Sequence, residues 1–352
     1  MTTAASTPAE PGSGPTSGPA SGPASGSVTT AEPQAGRSSH RAARVPQPRR
    51  QRVHARTWLP GLAMVAPSII LIGIFVYYLL GKNAATSMTN RHSFNPRAEV
   101  NFVGLDNYIA LFQEDYYRHT LWNLLVLTVV FLAGTMFFGM LWALLLEKGV
   151  TAEGFFRSVY LFPMAVSFVA AGVVWKWLLS NKTGEQAIGL NQLFQHLGLG
   201  FLQNSWWSST AAFNMAAMAI PAIWQLSGYV MALFLAGFRG IPDDQREAAR
   251  MDGASEYQVY RHILFPQLSP IALSALIIIG HMSMKMFDLI YSIAGANSYP
   301  AAVPATYMWT QLFSKSDPAN ASANATILLL IVAVVVVPYL IYTNRVEKRA
   351  GK

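Results

Sequence analysis

Arg239-Gly-Ile-Pro-Asp-Asp-Gln-Arg-Glu-Ala-Ala-Arg-Met-Asp-Gly-Ala-Ser-Glu-Tyr-Gln-Val-Tyr-Arg-His-Ile-Leu-Phe-Pro266 is a polar stretch between two apolar runs, each long enough to cross a bilayer. Pro242 followed by Asp243 and Asp244 is a favourable helix start. Proline fits the first turn, where its missing N–H is no loss, and acids suit the positive end of the helix dipole. The pattern predicts a short helix over 243–252. Gly253 ends it, because glycine takes positive φ without a steric penalty. A second amphipathic piece over 255–264 is expected to follow until Pro266. The product is a stiff helix–turn–helix lying across one face of a membrane bundle. Glu247 offers a carboxylate to a basic partner group, and Ala248 and Ala249 let a partner surface approach closely.

Outward from this stretch lie six apolar runs, at about 58–80, 121–146, 158–179, 211–238, 268–293 and 323–342. Each is long enough to span roughly 30 Å of hydrocarbon at about 1.5 Å per residue. An all-α membrane protein with six transmembrane helices is expected. Composition agrees: of 352 residues, 52% are hydrophobic and 12% charged, against about 25% charged in soluble domains. So few charges cannot coat a water-soluble surface of normal size. With no cysteine, disulfides, thiolate metal sites and cysteine nucleophiles are excluded.

The net charge of +8 is distributed as an orientation signal. Seventeen of the 25 Lys and Arg fall in the tail, in 147–157, in 239–266 and after Thr343, and six fall in the alternate loops. By the positive-inside rule both termini face the cytoplasm. That distribution leaves no basic groove for nucleic acid. Residues 1–57 differ in kind from the rest. Pro11–Ser27 is Gly, Ser, Pro and Ala with almost nothing to bury, so disorder is expected. Seven arginines from Arg37 to Arg56 then form a flank that anionic lipid headgroups attract. The first apolar run starts too far from Met1 to read as a cleavable signal. Residues 343–352 make a basic cytoplasmic end. Trp58, Trp175, Trp177, Trp206 and Trp207 lie near predicted span ends, where indole rings favour the headgroup level.

Charges inside spans mark candidate sites. His281, Lys285 and Asp288 stand at i, i+4 and i+7 of the fifth run and would stack on one helical face. They read as a polar stripe lining a solute path, as a Lys–Asp pair locking helices together, or, for Asp288, as a residue snorkelling at the outer end. Lys176 reads as snorkelling. In the fourth run Trp224, Gln225, Ser227 and Tyr229 combine aromatic faces with hydrogen-bonding groups, a pairing that suits sugars and also suits helix packing. The triplets at Asn320 and Asn324 match the glycosylation pattern but carry no assigned role. The chain has no phosphate-loop motif, nucleophile elbow or metal-ligand pattern, so no catalytic residue, metal or cofactor is assigned to it.

Glu247-Ala248-Ala249, then Gly253, then Ile263-Leu-Phe-Pro266 resembles the EAA loop of ABC importer permeases, with Phe265 where leucine is usual. Further residues resemble the carbohydrate branch, maltose-type and glycerol-phosphate-type: Phe102-Val-Gly-Leu-Asp-Asn-Tyr108, Trp122-Asn123, Trp224, Gly228, Leu233-Phe-Leu-Ala-Gly237 and Phe287-Asp288. The resemblance covers roughly 58–345. The branch's glycine-rich turn after the fifth span is altered here to Ile293-Ala-Gly-Ala-Asn-Ser-Tyr-Pro300. The resemblance implies a type I importer fold, with a first helix at 58–80, a transmembrane core at 117–342 and a coupling loop at 239–266. It implies that Glu247, Ala248, Ala249, Asp252, Gly253, Ile263 and Pro266 couple the chain to an ATPase. It also implies the partners: a second permease, two ATP-binding subunits that hold ATP–Mg, and an extracytoplasmic sugar-binding protein, in a bacterial cytoplasmic membrane. The cargo expected is a di- or oligosaccharide; glycerol 3-phosphate is the alternative within transport, and a proton-coupled transporter the alternative outside the family.

Overall fold

A computed structural model describes the backbone of residues 59–209 and 214–350, and side chains for 61–209 and 214–341. The expectations for residues 1–57 lie outside it. Among the described residues the regular structure is helical, and one isolated bridge, Thr89 to Phe102, is the only β pairing.

The first helix, α1 (Gly61–Ser87), is apolar all round and mostly exposed, as suits a helix solvated by lipid. It contains a π turn at Gly73–Tyr78. Its far end is tied down: the Asn83 amide donates to the Ser322 carbonyl at 3.2 Å and to Thr326 Oγ1 at 3.1 Å. The loop that follows carries the Phe102–Tyr108 motif, and the fold explains it. Buried Asn107, in α2 (Asp106–Gln113), donates to the carbonyls of Ser87 and Thr89, both at 2.8 Å, closing the loop on the end of α1.

The core is built on α3 (Asp115–Glu147) and α7 (Asn214–Arg239). Phe131, Met218, Val230, Met231 and Phe234 are fully buried along their contact. In lipid such contacts hold by close packing rather than by expulsion of water, so small residues matter at the crossing. At Gly228 an added Cβ would lie 2.0 Å from the Tyr160 carbonyl oxygen, so only glycine lets α7 pass α4 (Glu153–Ala165) at this distance.

Two expected spans are broken. The run predicted at 158–179 is not one helix: α4 and α5 (Phe168–Leu178) meet at 95°. Val166 between them is extended, and Ser167 caps α5 by accepting from the Ala170 N–H at 3.2 Å. The freed Val166 carbonyl accepts from the Gln225 amide of α7, which is how a break is tolerated inside apolar surroundings. The run predicted at 268–293 also divides. The helix α9 (Glu256–Met284) stops, Lys285–Phe287 are irregular, and α10 (Asp288–Ala294) restarts. Among the described residues five helices are long and apolar enough to span, or six counting the bent pair as one.

The expected stop at Pro266 is absent as well. The chain continues as helix through it, because a π turn at Tyr260–Leu264 precedes it: the Phe265 N–H donates to the Tyr260 carbonyl and Pro266 falls in the first turn of the stretch that resumes. Between α5 and α7, a loop with the short helix α6 (Leu190–His196) is organised by buried Asn191. Its amide donates to the carbonyls of Ser180, Lys182 and Asn204, all at 2.9 Å, and its oxygen accepts from the Trp206 indole at 2.9 Å. After α10, α11 (Pro304–Trp309) leads to α12 (Pro318–Ala350). Asn324 is fully buried there, accepting from the Tyr117 hydroxyl at 3.1 Å and donating to the Pro304 carbonyl at 2.7 Å; its triplet belongs to packing.

Candidate functional site: a braced surface helix and two cavities

The 239–266 stretch forms α8 (Asp243–Met251) followed by the start of α9. Asp243 and Asp244 occupy the first turn of α8, as their charge favours. Its end is a Schellman closure. The Ala254 N–H donates to the Ala249 carbonyl and the Gly253 N–H to the Arg250 carbonyl, both at 3.0 Å, with Gly253 at φ +83°. Ser255 opens α9 with a capping box: its N–H donates to Gln258 Oε1 at 2.7 Å, and its hydroxyl accepts from the Gln258 N–H. Both ends of the turn are therefore specified locally, so α8 holds one orientation relative to α9.

That orientation sorts the predicted residues. Glu247, Ala248 and Asp252 are exposed; Ala249 and Ile263 pack against the core cluster; Pro266 is exposed on α9. Arg250 bridges the turn to Glu256 at 2.7 Å, and that carboxylate holds the Arg250 guanidinium above its usual pKa. Sequence reasoning missed the residues beneath. The Arg246 side chain turns inward: one terminal nitrogen donates to Glu147 at the end of α3 and the other to the Phe238 carbonyl at 2.9 Å. The Tyr260 hydroxyl donates to the second Glu147 oxygen at 2.5 Å. Arg239 pairs with Glu153 of α4 at 2.5 Å.

The intramembrane candidates separate into two places. Lys285 and Asp288 line a cavity of about 220 Å³ together with Phe168, Met282, Met286 and Phe287. They do not share a helical face with His281, because the helix ends at Met284; His281 is half-buried a turn earlier and lies outside that cavity. Trp224 and Ser227 line a second cavity of about 450 Å³ with Trp142, Tyr160 and Trp175. Trp142 stacks on Tyr160 with ring centres 4.6 Å apart, and Trp175 meets Trp224 edge-on at 6.0 Å. Gln225 is buried at the break between α4 and α5, and Tyr229 packs half-buried against the core cluster, so neither joins Trp224 in lining it. The altered turn after α10 is pinned by Asn123, whose amide donates to the Pro300 and Ala302 carbonyls at 3.0 and 2.8 Å.

Comparison with known proteins gives this geometry a context. Residues 135–352 match the model of the binding-protein-dependent transport system inner membrane component. A probable ABC transporter permease of Pyrococcus horikoshii is 38% identical over 289 residues, 82% of this chain and 97% of the relative. The xylose/arabinose import permease protein XacH of Haloferax volcanii is 33% identical over 275 residues, 78% of this chain and 84% of that protein. Among solved structures, a chain of a bacterial ABC transporter involved in the import of the acidic polysaccharide alginate aligns with a TM-score of 0.65 at 22% identity, covering 84% of this chain and 97% of that one, which establishes a shared fold. With its spanning helices and its polar helix–turn–helix, this chain belongs to the family of inner-membrane permease components of binding-protein-dependent ABC transport systems.

Proposed function

We propose that this chain is one of two permease subunits in an ATP-driven importer of a di- or oligosaccharide, seated in a cytoplasmic membrane with both termini inside. The observation that carries the reading is α8: a short helix with Glu247 and Ala248 exposed, closed at Gly253 and braced from below, in a relative of sugar-import permeases. ATP is bound and hydrolysed on two partner subunits. Their closure displaces α8, and the displacement opens the path to an extracytoplasmic binding protein that delivers the sugar. In support, the alginate importer of the same fold forms a complex with a periplasmic protein loaded with an alginate pentasaccharide.

The aromatic cavity beside Trp224 suits a sugar, since C–H faces stack on rings while hydroxyls meet groups such as Ser227. Lys285 and Asp288 offer a donor and an acceptor at the break after α9. An anion such as glycerol 3-phosphate would meet Asp288 as well as Lys285 in the same cavity, which disfavours that cargo.

Mild extraction of the complex from native membranes tests the reading. The expected result is co-purification of two ATP-binding subunits, a second permease and bound sugar. Gly253→Pro should keep the membrane core folded yet abolish substrate-stimulated ATP hydrolysis, because proline cannot adopt the φ of +83° that closes α8. Normal stimulation in that variant would refute coupling through α8.

A further inference from the structure

Glu247 and Arg246 are neighbours in sequence and face opposite ways. Glu247 is exposed, whereas the Arg246 side chain is 15% exposed and the carboxylate it meets, Glu147, is 6% exposed. Around this pair four helices converge: Glu147 is the last residue of α3, Arg246 lies on α8, Tyr260 on α9, and the Phe238 carbonyl lies in the last turn of α7. The remaining donor, Arg246 Nε, lies 4.0 Å from Asp243 Oδ1 in the first turn of α8 itself. We propose that Arg246, Glu147 and Tyr260 form the strut through which displacement of α8 reaches the transmembrane helices. They would be positioning residues for coupling; the proposal rests on reading α8 as the coupling helix.

The reasoning is mechanical. Along the chain, α8 is joined to α7 by Gly240–Pro242 and to α9 by the closed turn at Gly253–Ala254, and neither link fixes its distance from α3. Its apolar contact through Ala249 is non-directional and permits sliding. The Arg246–Glu147 pair resists separation in every direction, because pulling it apart leaves each charge buried and uncompensated. A guanidinium also fixes angle as well as distance, since its nitrogens lie in a rigid plane. Glu147 completes the arrangement by offering its second oxygen to Tyr260, so one carboxylate ties α8 and α9 to the end of α3. Force arriving there acts on α3 and α7, the pair that forms the core.

The absence of cysteine makes the test direct. Nitroxide labels at Asp244→Cys on α8 and Leu125→Cys on α3, both exposed positions, report the separation of the two helices in the full complex with its ATPase subunits. The probe is ATP with vanadate, which closes the motors without any sugar. With the strut intact, the separation should hold within about 2 Å between nucleotide-free and closed states, the scale of ordinary helix shifts. In Glu147→Gln and Arg246→Met, closure should change it by about 5 Å, one helical turn, while the ATPase subunits stay bound through the unaltered Glu247 and Ala248. Tyr260→Phe, which removes one hydroxyl, should shift it in the same direction by less. A native chain in which α8 moves relative to α3 on closure overturns the proposal, as do variants that hold the native separation or release their ATPase. If the buried-charge variants do not assemble, Tyr260→Phe and the native chain decide by the same distances. Failure of the ATPase to bind the native chain would instead refute α8 as the coupling helix.

Discussion

Replacing Gly228 with alanine tests how closely α7 must pass α4. The new Cβ would lie 2.0 Å from the Tyr160 carbonyl oxygen, 2.7 Å from its carbon and 3.2 Å from the Leu161 Cα. These are backbone atoms, so no rotamer change removes the clash. Carbon–oxygen contacts open to about 3.3 Å, which requires the helices to part locally by about 1.3 Å. Two terms oppose each other. Alanine gains up to about 1 kcal/mol over glycine in a helix interior. Overpacking costs about 1–3 kcal/mol, and a backbone obstacle puts this case at the upper end. The net expectation is a loss of about 2 kcal/mol, or a melting temperature about 3 °C lower for a chain of 352 residues. Intrinsic tryptophan fluorescence of the purified complex during heating measures it. Gly237→Ala is the control: its Cβ would meet Ile271 Cδ1 at 2.5 Å and Leu268 Cδ2 at 2.6 Å, ends of flexible side chains that can move aside. Its shift should be less than half as large. A Gly228→Ala chain that melts at or above the parent temperature would refute the reasoning.

Other perturbations separate binding, loop order and packing. Lys285→Met should weaken sugar uptake affinity and leave the ATPase attached, because the lysine lines a cavity far along α9 from the turn at Gly253; loss of assembly alone would make the charge structural. Asn191→Ala removes the amide that gathers Ser180, Lys182, Asn204 and Trp206, so hydrogen exchange between residues 180 and 206 should accelerate while ATP hydrolysis persists. Asn324→Ala leaves the buried Tyr117 hydroxyl without its acceptor and removes the bond to the Pro304 carbonyl, and should destabilise the protein by about 1–3 kcal/mol, read as a lower melting temperature.

The helix–turn–helix was legible because its determinants are local. Pro242, the two aspartates and Gly253 each act within four residues, and each appears where its chemistry requires; the structure adds the equally local Ser255–Gln258 box. The strut beneath was not legible. Glu147 and Arg246 are separated by 99 residues, and nothing in the composition around either one names the other. A faint signal existed: Glu147 is a lone acid at the end of a long apolar run, at the face expected to carry α8. The packing partner of Gln225 was hidden for a related reason. Beside Trp224 it reads as a sugar ligand, yet its partner is a carbonyl freed by a break that hydropathy does not register.

Hydropathy measures composition over a window, so it joins two helices that a break separates. That explains both misjudged spans, and the breaks bear on each other. Non-helical backbone at membrane depth is tolerated where it is buried in protein or lines a water-filled cavity. The break at Val166–Ser167 is satisfied partly by Gln225, and its next residue, Phe168, lines the same cavity as Lys285, Phe287 and Asp288 of the second break. The helices beyond the breaks also touch: a Cβ on Gly172 of α5 would fall 2.5 Å from Ser292 Cβ of α10. Two interruptions in separate apolar runs therefore converge on one cavity that holds Lys285 and Asp288 among apolar side chains. Either alone is a kink that a bundle absorbs. Together they place irregular backbone, a cation and a carboxylate in one volume. A continuous helix would have set His281, Lys285 and Asp288 in a line; the broken geometry instead brings Lys285 and Asp288 to one cavity, apart from His281.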